Sequence, residues 1–73
     1  MIIFTTHARV RLKERHITAE LVRKIVKTPD TIRTLAEDTY AYYGKHNGKT
    51  IKIILSKRRN KTIIITLYYE NYV

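Results

Sequence analysis

The fold of this chain is decided by residues 46–55, which read HNGKTIKIIL. Asn47-Gly48 is the strongest short signal for a β-hairpin, because both central residues of a type I′ turn need a positive φ angle. After the turn, apolar and other side chains alternate with the period of two that is typical of a strand, the apolar set being Ile51, Ile53 and Leu55. The stretch therefore predicts two antiparallel strands joined by a tight turn.

Further strands extend this hairpin in both directions. Residues 40–43 are rich in tyrosine and predict the strand before the turn, and an extended stretch around Ile32 and Leu35 precedes them. Residues 57–61 make a second connection, and the alternation then resumes at Ile63, Ile65 and Leu67. We expect a three- to four-stranded antiparallel sheet, to which residues 2–4 can add a short N-terminal edge strand.

Two helices are predicted before the sheet. Thr5 or Thr6 can cap a first helix that ends near Arg15, and Thr18 can cap a second. The second helix places its apolar residues on one face, and it ends before Pro29, because the residue preceding a proline avoids the α region. The expected fold class is α+β, with two N-terminal helices packed on one face of the sheet.

The strand alternation divides the sheet residues between two faces. The face toward the helices is expected to carry Ile51, Ile53, Leu55, Ile63, Ile65 and Leu67. The opposite face is expected to carry Ile54, Ile64 and Tyr68, and either Tyr40 with Tyr42 or else Tyr43. Such a face is too apolar to remain in water, so it predicts a homodimer, a protein partner or a groove where aromatic rings meet nucleotides. The alternative is that the tyrosines are ordinary strand formers with wetted hydroxyl groups.

Composition limits the possible partners. The 73 residues carry a formal charge of +9 and no cysteine, with a sequence pI near 10.1. Such a charge predicts attraction to RNA, DNA, an acidic protein or an anionic membrane, and the membrane ranks last because the first helix lacks bulky apolar anchors. The six carboxylates are scattered, so we expect no metal and no cofactor. We expect one domain, residues 1–73, that is cytoplasmic.

A dense basic segment follows the central hairpin. It contains Lys57, Arg58, Arg59 and Lys61. Together with the overall charge, this segment favours a phosphate-binding patch for nucleic acid. The alternative is a solvated hairpin tip whose charges prevent edge pairing.

A second basic feature lies in the first predicted helix. His7, Arg11 and Arg15 are spaced four residues apart, so a helix places them in one stripe. Two guanidinium groups can hold a phosphate, and an imidazole can transfer protons near neutral pH. The stripe is therefore a candidate catalytic row for RNA cleavage, with Tyr68 to position or donate a proton. The alternative is that the arginines cover apolar surface and His7 bonds to the helix start.

Most of the chain resembles a small bacterial and archaeal family of unknown function that is placed near the RelE/ParE and BrnT toxins of toxin–antitoxin pairs. The residues that carry the resemblance are Phe4-Thr5-Thr6-His7-Ala8, Arg11-Leu12, Glu14-Arg15, Ile17, Val22, Ile25, Pro29-Asp30 and the closing strand 63–69. The resemblance implies a RelE-like fold and an acidic antitoxin partner, and it marks His7, Arg11, Arg15, Tyr68 and Tyr69. The chain departs from RelE-like toxins at its end, where residues 69–73 include Glu70 but no basic residue.

The resemblance implies a toxin-like, metal-independent endoribonuclease that cleaves RNA by attack of the 2′-hydroxyl group. One alternative is a basic nucleic-acid-binding module without catalysis. Another is a toxin that acts on a protein target, as ParE-like members do, because one fold can support several activities.

Overall fold

The computed structural model describes residues 1–70, so residues 71–73 of the expected departure lie outside the described part. Two helices and five strands follow one another along the chain. They are β1 (Ile2–Phe4), α1 (Thr6–Arg15), α2 (Ala19–Lys27), β2 (Thr31–Ala36), β3 (Thr39–His46), β4 (Lys49–Arg58) and β5 (Lys61–Glu70). The α+β class and the two N-terminal helices are thus confirmed.

Both helices begin at the predicted threonine caps. The side chain of Thr5 accepts a hydrogen bond from the Ala8 amide, and that of Thr18 accepts one from the Leu21 amide. Each cap satisfies an amide that has no partner within its own helix. α1 ends at His16, which adopts a left-handed conformation with φ of 56°, and α2 ends immediately before Thr28-Pro29.

The sheet has five strands in the order β1-β5-β4-β3-β2, which is more than the three to four expected. Strands β2 to β5 form the antiparallel meander, while β1 pairs parallel to β5 at the opposite edge. The sheet is therefore mixed. A parallel pair needs a long connection between its strands, and both helices and strands β2 to β4 lie between β1 and β5 along the chain.

The two tight turns set the strand register. Asn47 and Gly48 have φ angles of 53° and 78°, which confirms the predicted hairpin turn and pairs His46 with Lys49. The second connection is shorter than expected, because Lys57 and Arg58 belong to β4 and Lys61 begins β5. Only Arg59 and Asn60 form the turn, so the basic segment is a hairpin end rather than a loop.

A bulge in β5 changes which of its residues face the core, relative to the prediction. Ile64 pairs with Leu55, but the register shifts so that Thr66 pairs with Ile54. Ile65 is the extra residue and is 37% exposed, whereas Ile64 is completely buried in the core. The expectation that Ile64 shares an open face with Ile54 and Tyr68 was therefore wrong. The placement of Ile63 and Ile65 in the core was also wrong. Both errors have one cause, because one extra residue reverses the alternation of side chains before the bulge.

The core lies between the helices and one face of the sheet. The side chains buried there include Ile51, Ile53, Leu55, Ile64, Leu67, Val22 and Ile25. Tyr40 and Tyr42 are also on this face, where their rings meet edge to face. Tyr43 is on the opposite, open face with Ile54 and Tyr68, so the structure selects the second of the two tyrosine alternatives.

Candidate functional site

The C-terminal end of α1 lies beside the part of β5 that follows Ile64, where β1 no longer pairs with this strand. The Thr5 amide donates to the Ile64 carbonyl, and the Thr5 hydroxyl donates to the Ile65 carbonyl, so the helix begins where β1 stops. The helix then rises about 14 Å, close to the ~17 Å that β5 covers between Ile64 and Tyr69. Arg15, at the end of α1, therefore lies beside Tyr68 and Tyr69 of β5.

A cleft of about 350 Å³ is formed at this position by Arg15, Lys49, Tyr68 and Tyr69, which we call the tyrosine–cation cleft. Its lining comes from the end of α1, the start of β4 and the end of β5. The ammonium of Lys49 lies 5.4 Å from the centre of the Tyr69 ring, a cation–π distance. Guanidinium and ammonium groups bind phosphate, and phenol rings stack on bases, so the lining suits a nucleotide chain.

Lys52 contacts Tyr68 on the open face of the sheet, outside the lining of the cleft. It stands between Tyr43 and Tyr68 across three strands, and its ammonium is 5.8 Å and 5.7 Å from their ring centres. Hydrogen bonding to Tyr68 is the main cause that raises the pKa of Lys52 above its ordinary 10.5; burial opposes this increase, and electrostatic interactions with Tyr68 and Tyr43 add to it. Lys52 therefore remains a cation at neutral pH.

A carboxylate adjoins Lys52. Glu70 places an oxygen 4.0 Å from the Lys52 ammonium. Tyr68 and Glu70 are two residues apart on one strand, so their side chains leave the same face about 7 Å from each other. A pair of this kind can flank a bound phosphate.

The predicted row in α1 is only partly assembled. Arg15 and Tyr68 both line the cleft. The guanidinium of Arg11 is paired with the carboxylate of Glu14 on its own helix. His7 is exposed in the first turn, two turns or about 12 Å from Arg15 along the helix axis.

The basic hairpin end lies far from the cleft. Arg58 pairs with Lys61 at one end of the β4–β5 hairpin and Thr50 pairs with Glu70 at the other, a separation of roughly 25 Å. Arg58, Arg59 and Lys61 are exposed, while the Lys57 ammonium lies 5.4 Å from the centre of the Tyr42 ring on the helix-facing side. These residues form a second basic surface rather than part of the cleft.

Sequence reasoning missed Lys49, Lys52, Tyr43 and Glu70. The two-residue turn at Asn47-Gly48 fixes the hairpin register, and counting from it places Tyr43 opposite Lys52. That signal could have found this pair. The position of Tyr68 beside Lys52 could not be counted, because the bulge in β5 intervenes.

Two absences were found within residues 1–70. This part of the chain contains no group of three or more histidine, aspartate or glutamate side chains placed to hold a metal ion. None of its helices is long and apolar enough to span a bilayer.

Comparison with known proteins gave one match. A family model described as a domain of unknown function, DUF4258, matches residues 4–69, which cover both helices and nearly all of the sheet. No curated protein and no solved structure matches the chain. Because the match extends over most of its length, the chain belongs to the DUF4258 family.

Proposed function

We propose that this protein is a metal-independent, toxin-like endoribonuclease that binds single-stranded RNA in the tyrosine–cation cleft. The observation that carries the proposal is the convergence of Arg15, Lys49, Tyr68 and Tyr69 in one cleft. The toxin-like, RelE-related assignment and its acidic antitoxin come from the sequence resemblance and are part of the proposal. Single-stranded RNA is favoured because its unstacked bases can lie against tyrosine rings while cations hold the phosphates.

The cleavage step requires a base, cations and an acid. The 2′-oxygen attacks phosphorus and passes its proton to the base, and the P–O5′ bond breaks as the acid protonates the leaving 5′-oxygen. We assign Lys52, which shares the open face with Tyr68 and Glu70, to the charge that develops on phosphorus, because a preorganised cation stabilises it most effectively. Arg15 and Lys49 hold the neighbouring phosphates and thereby position the scissile bond. Tyr68 is the proposed acid and Glu70 the proposed base, and the products are a 2′,3′-cyclic phosphate and a 5′-hydroxyl group.

Cleavage of a 5′-labelled RNA in EDTA tests this assignment. Arg15→Ala and Tyr68→Phe should each lower the rate about 10²-fold while leaving the melting temperature unchanged. Arg15→Lys should remain impaired, because a point charge does not replace a planar bidentate fork. The matched control is Arg9→Ala, which removes the same charge from an exposed position of the same helix. Wild-type rates in both Arg15→Ala and Tyr68→Phe would contradict the proposal.

The base can be identified with two further variants. Glu70→Gln should abolish cleavage, and His7→Ala should leave it intact, because His7 is two helical turns from the cleft. The reverse result would transfer the role to His7 and the helical row predicted from the sequence.

A second function is favoured by a specific observation. The ammonium of Lys52 lies 4.0 Å from the carboxylate of Glu70, so the groups proposed as cation and base are engaged with each other. The same cleft could then bind RNA without cutting it. In that case the wild-type protein would retain RNA in a gel-shift assay, produce no cyclic-phosphate ends, and lose affinity only modestly when Arg15 is replaced.

A further inference from the structure

A second concave surface lies between α2 and β1, away from the tyrosine–cation cleft. It is a groove of about 710 Å³ whose apolar lining is supplied by Ile2, Leu21 and Val26. All three side chains are half-buried, because they also pack against the core from its edge. The groove falls within the range of about 300–1,000 Å³ that is usual for ligand clefts.

Cations surround this apolar lining. Arg23, Lys24 and Lys27 line the groove from α2, against the single carboxylate of Glu20. Lys24 and Lys27 are exposed, while the Arg23 guanidinium lies 5.6 Å from the centre of the Phe4 ring. The groove therefore combines an aliphatic interior with a positive rim.

From this combination we infer that the groove is the docking site for an acidic, amphipathic segment of a protein partner. Such a segment would place aliphatic side chains against Ile2, Leu21 and Val26 and its carboxylates against Lys24 and Lys27. An amphipathic helix in a hydrophobic groove is a common mode of peptide recognition. Charge complementarity selects the acidic partner, because a basic one would meet the rim and a net charge of +9.

Other occupants fit this surface less well. RNA is bound through phosphate contacts and base stacking on aromatic rings, and the groove lining is aliphatic. A bilayer surface is broad, so it does not fill a concave groove. A second copy of this chain carries the same net charge of +9, so the basic rim would repel it. An acidic partner is also part of the proposed function, but the docking inference rests on the groove and its charges and not on nuclease activity.

Fluorescence anisotropy with designed peptides tests the inference. The probe is a labelled peptide of about 14 residues with leucine at i, i+3, i+4 and i+7 and with glutamate and alanine at the other positions, because alanine supports the helix. We expect micromolar binding, and at least tenfold weaker binding of the same peptide with lysine in place of glutamate. Equal binding of the two peptides, or no binding of the acidic one, would overturn the inference.

Two variants of equal charge change locate the site. Lys24→Glu with Lys27→Glu should abolish peptide binding and retain most RNA binding. Arg15→Glu with Lys49→Glu should abolish RNA binding and retain most peptide binding. All four residues are exposed and lie outside the buried core, so both proteins should fold, as circular dichroism would verify. If the Lys24/Lys27 protein instead loses RNA as strongly as the Arg15/Lys49 protein, the groove is an RNA surface and the inference is wrong.

Discussion

The tyrosine–cation cleft and the α2–β1 groove are equally basic but differently lined. The cleft presents Tyr68 and Tyr69 beside its cations, whereas the groove presents Ile2, Leu21 and Val26. Positive charge attracts any polyanion and therefore does not distinguish RNA from an acidic protein. The apolar part of each lining makes that distinction. The planar rings of the cleft can stack on bases, whereas the branched aliphatic side chains of the groove pack against other aliphatic side chains.

The two surfaces also depend on different packing. The cleft depends on α1, which follows β5 from the hydrogen bonds of Thr5 onward. The groove depends on α2, which packs against β3 where the side chain of Ile25 contacts Gly44. A substitution that displaces one helix should therefore weaken binding at one surface and leave binding at the other largely unchanged. The following predictions use this separation.

The largest effect is expected from Gly44→Ala. A Cβ atom at this position would lie 2.6 Å from Cγ1 and 2.8 Å from Cγ2 of Ile25. Overpacking of this kind costs about 1–3 kcal/mol, measured as the free energy of unfolding in urea. Because the clash displaces α2, binding of the acidic peptide should fall more than binding of RNA.

A double-mutant cycle and a control test the cause. Ile25→Ala removes the clashing atoms, so the loss in the double variant should be less than the sum of the two single losses. Gly48→Ala meets no atom within 4 Å but has a φ of +78°, so it should cost about 1 kcal/mol regardless of residue 25. Additive losses at 44 and 25 would contradict the packing explanation.

A smaller effect is expected in the salt dependence of RNA binding. Arg15→Ala and Lys49→Ala should each reduce the slope of log K against log salt by about 0.7, the contribution of one phosphate contact on a single strand. Replacing Arg58, Arg59 and Lys61 by alanine should reduce the slope only for RNAs long enough to reach the hairpin end, roughly 25 Å from the cleft. If these replacements also reduced the slope for an oligonucleotide of about four nucleotides, the hairpin end would belong to the same binding site as the cleft.

A still smaller effect, in the opposite direction, is expected at the end of α1. His16 adopts a φ of 56°, a conformation that costs a non-glycine residue roughly 1 kcal/mol. His16→Gly should therefore raise stability by up to about 1 kcal/mol, or about 4–8 °C in melting temperature. His16→Ala retains the strain and should give no gain. RNA and peptide binding should both remain unchanged, because the exchange removes strain and no contact of either surface.

The smallest expected effect concerns Lys52. Its pKa is raised in the folded protein, so its protonated form is favoured by folding. The stability that Lys52 contributes is complete below pH 10.5, its ordinary value, and is lost as the pH rises through the higher folded value. The difference in unfolding free energy between wild type and Lys52→Gln should therefore persist from pH 7 to about 10 and decline above it. A decline that already begins near pH 8 would contradict the assigned direction.

Local sequence signals determined most of the fold. The threonine caps, the period of the apolar residues in α2 and the Asn47-Gly48 turn each depend on a few neighbouring residues, and each appears where it was predicted. Of the residues that line the cleft, Arg15 and Tyr68 were named from the sequence, Arg15 by helical spacing and Tyr68 by the family resemblance. Lys49, Lys52, Tyr43 and Glu70 were missed, because their importance depends on strands that meet across the sheet.

The sequence by itself determined the element types, the strong positive charge and the separation of the core residues of α2 and β4 from their polar neighbours. Only the tertiary structure decided the parallel pairing of β1, the extra residue in β5 and the meeting of Arg15 with Tyr68 and Tyr69. The physical reason is that one added residue reverses which side chains face the core, and this choice is made by packing against Leu55 and Ile53 rather than by local preference. The same packing buries Ile64 and turns Tyr68 toward Lys52, so it determines the chemistry of the open face.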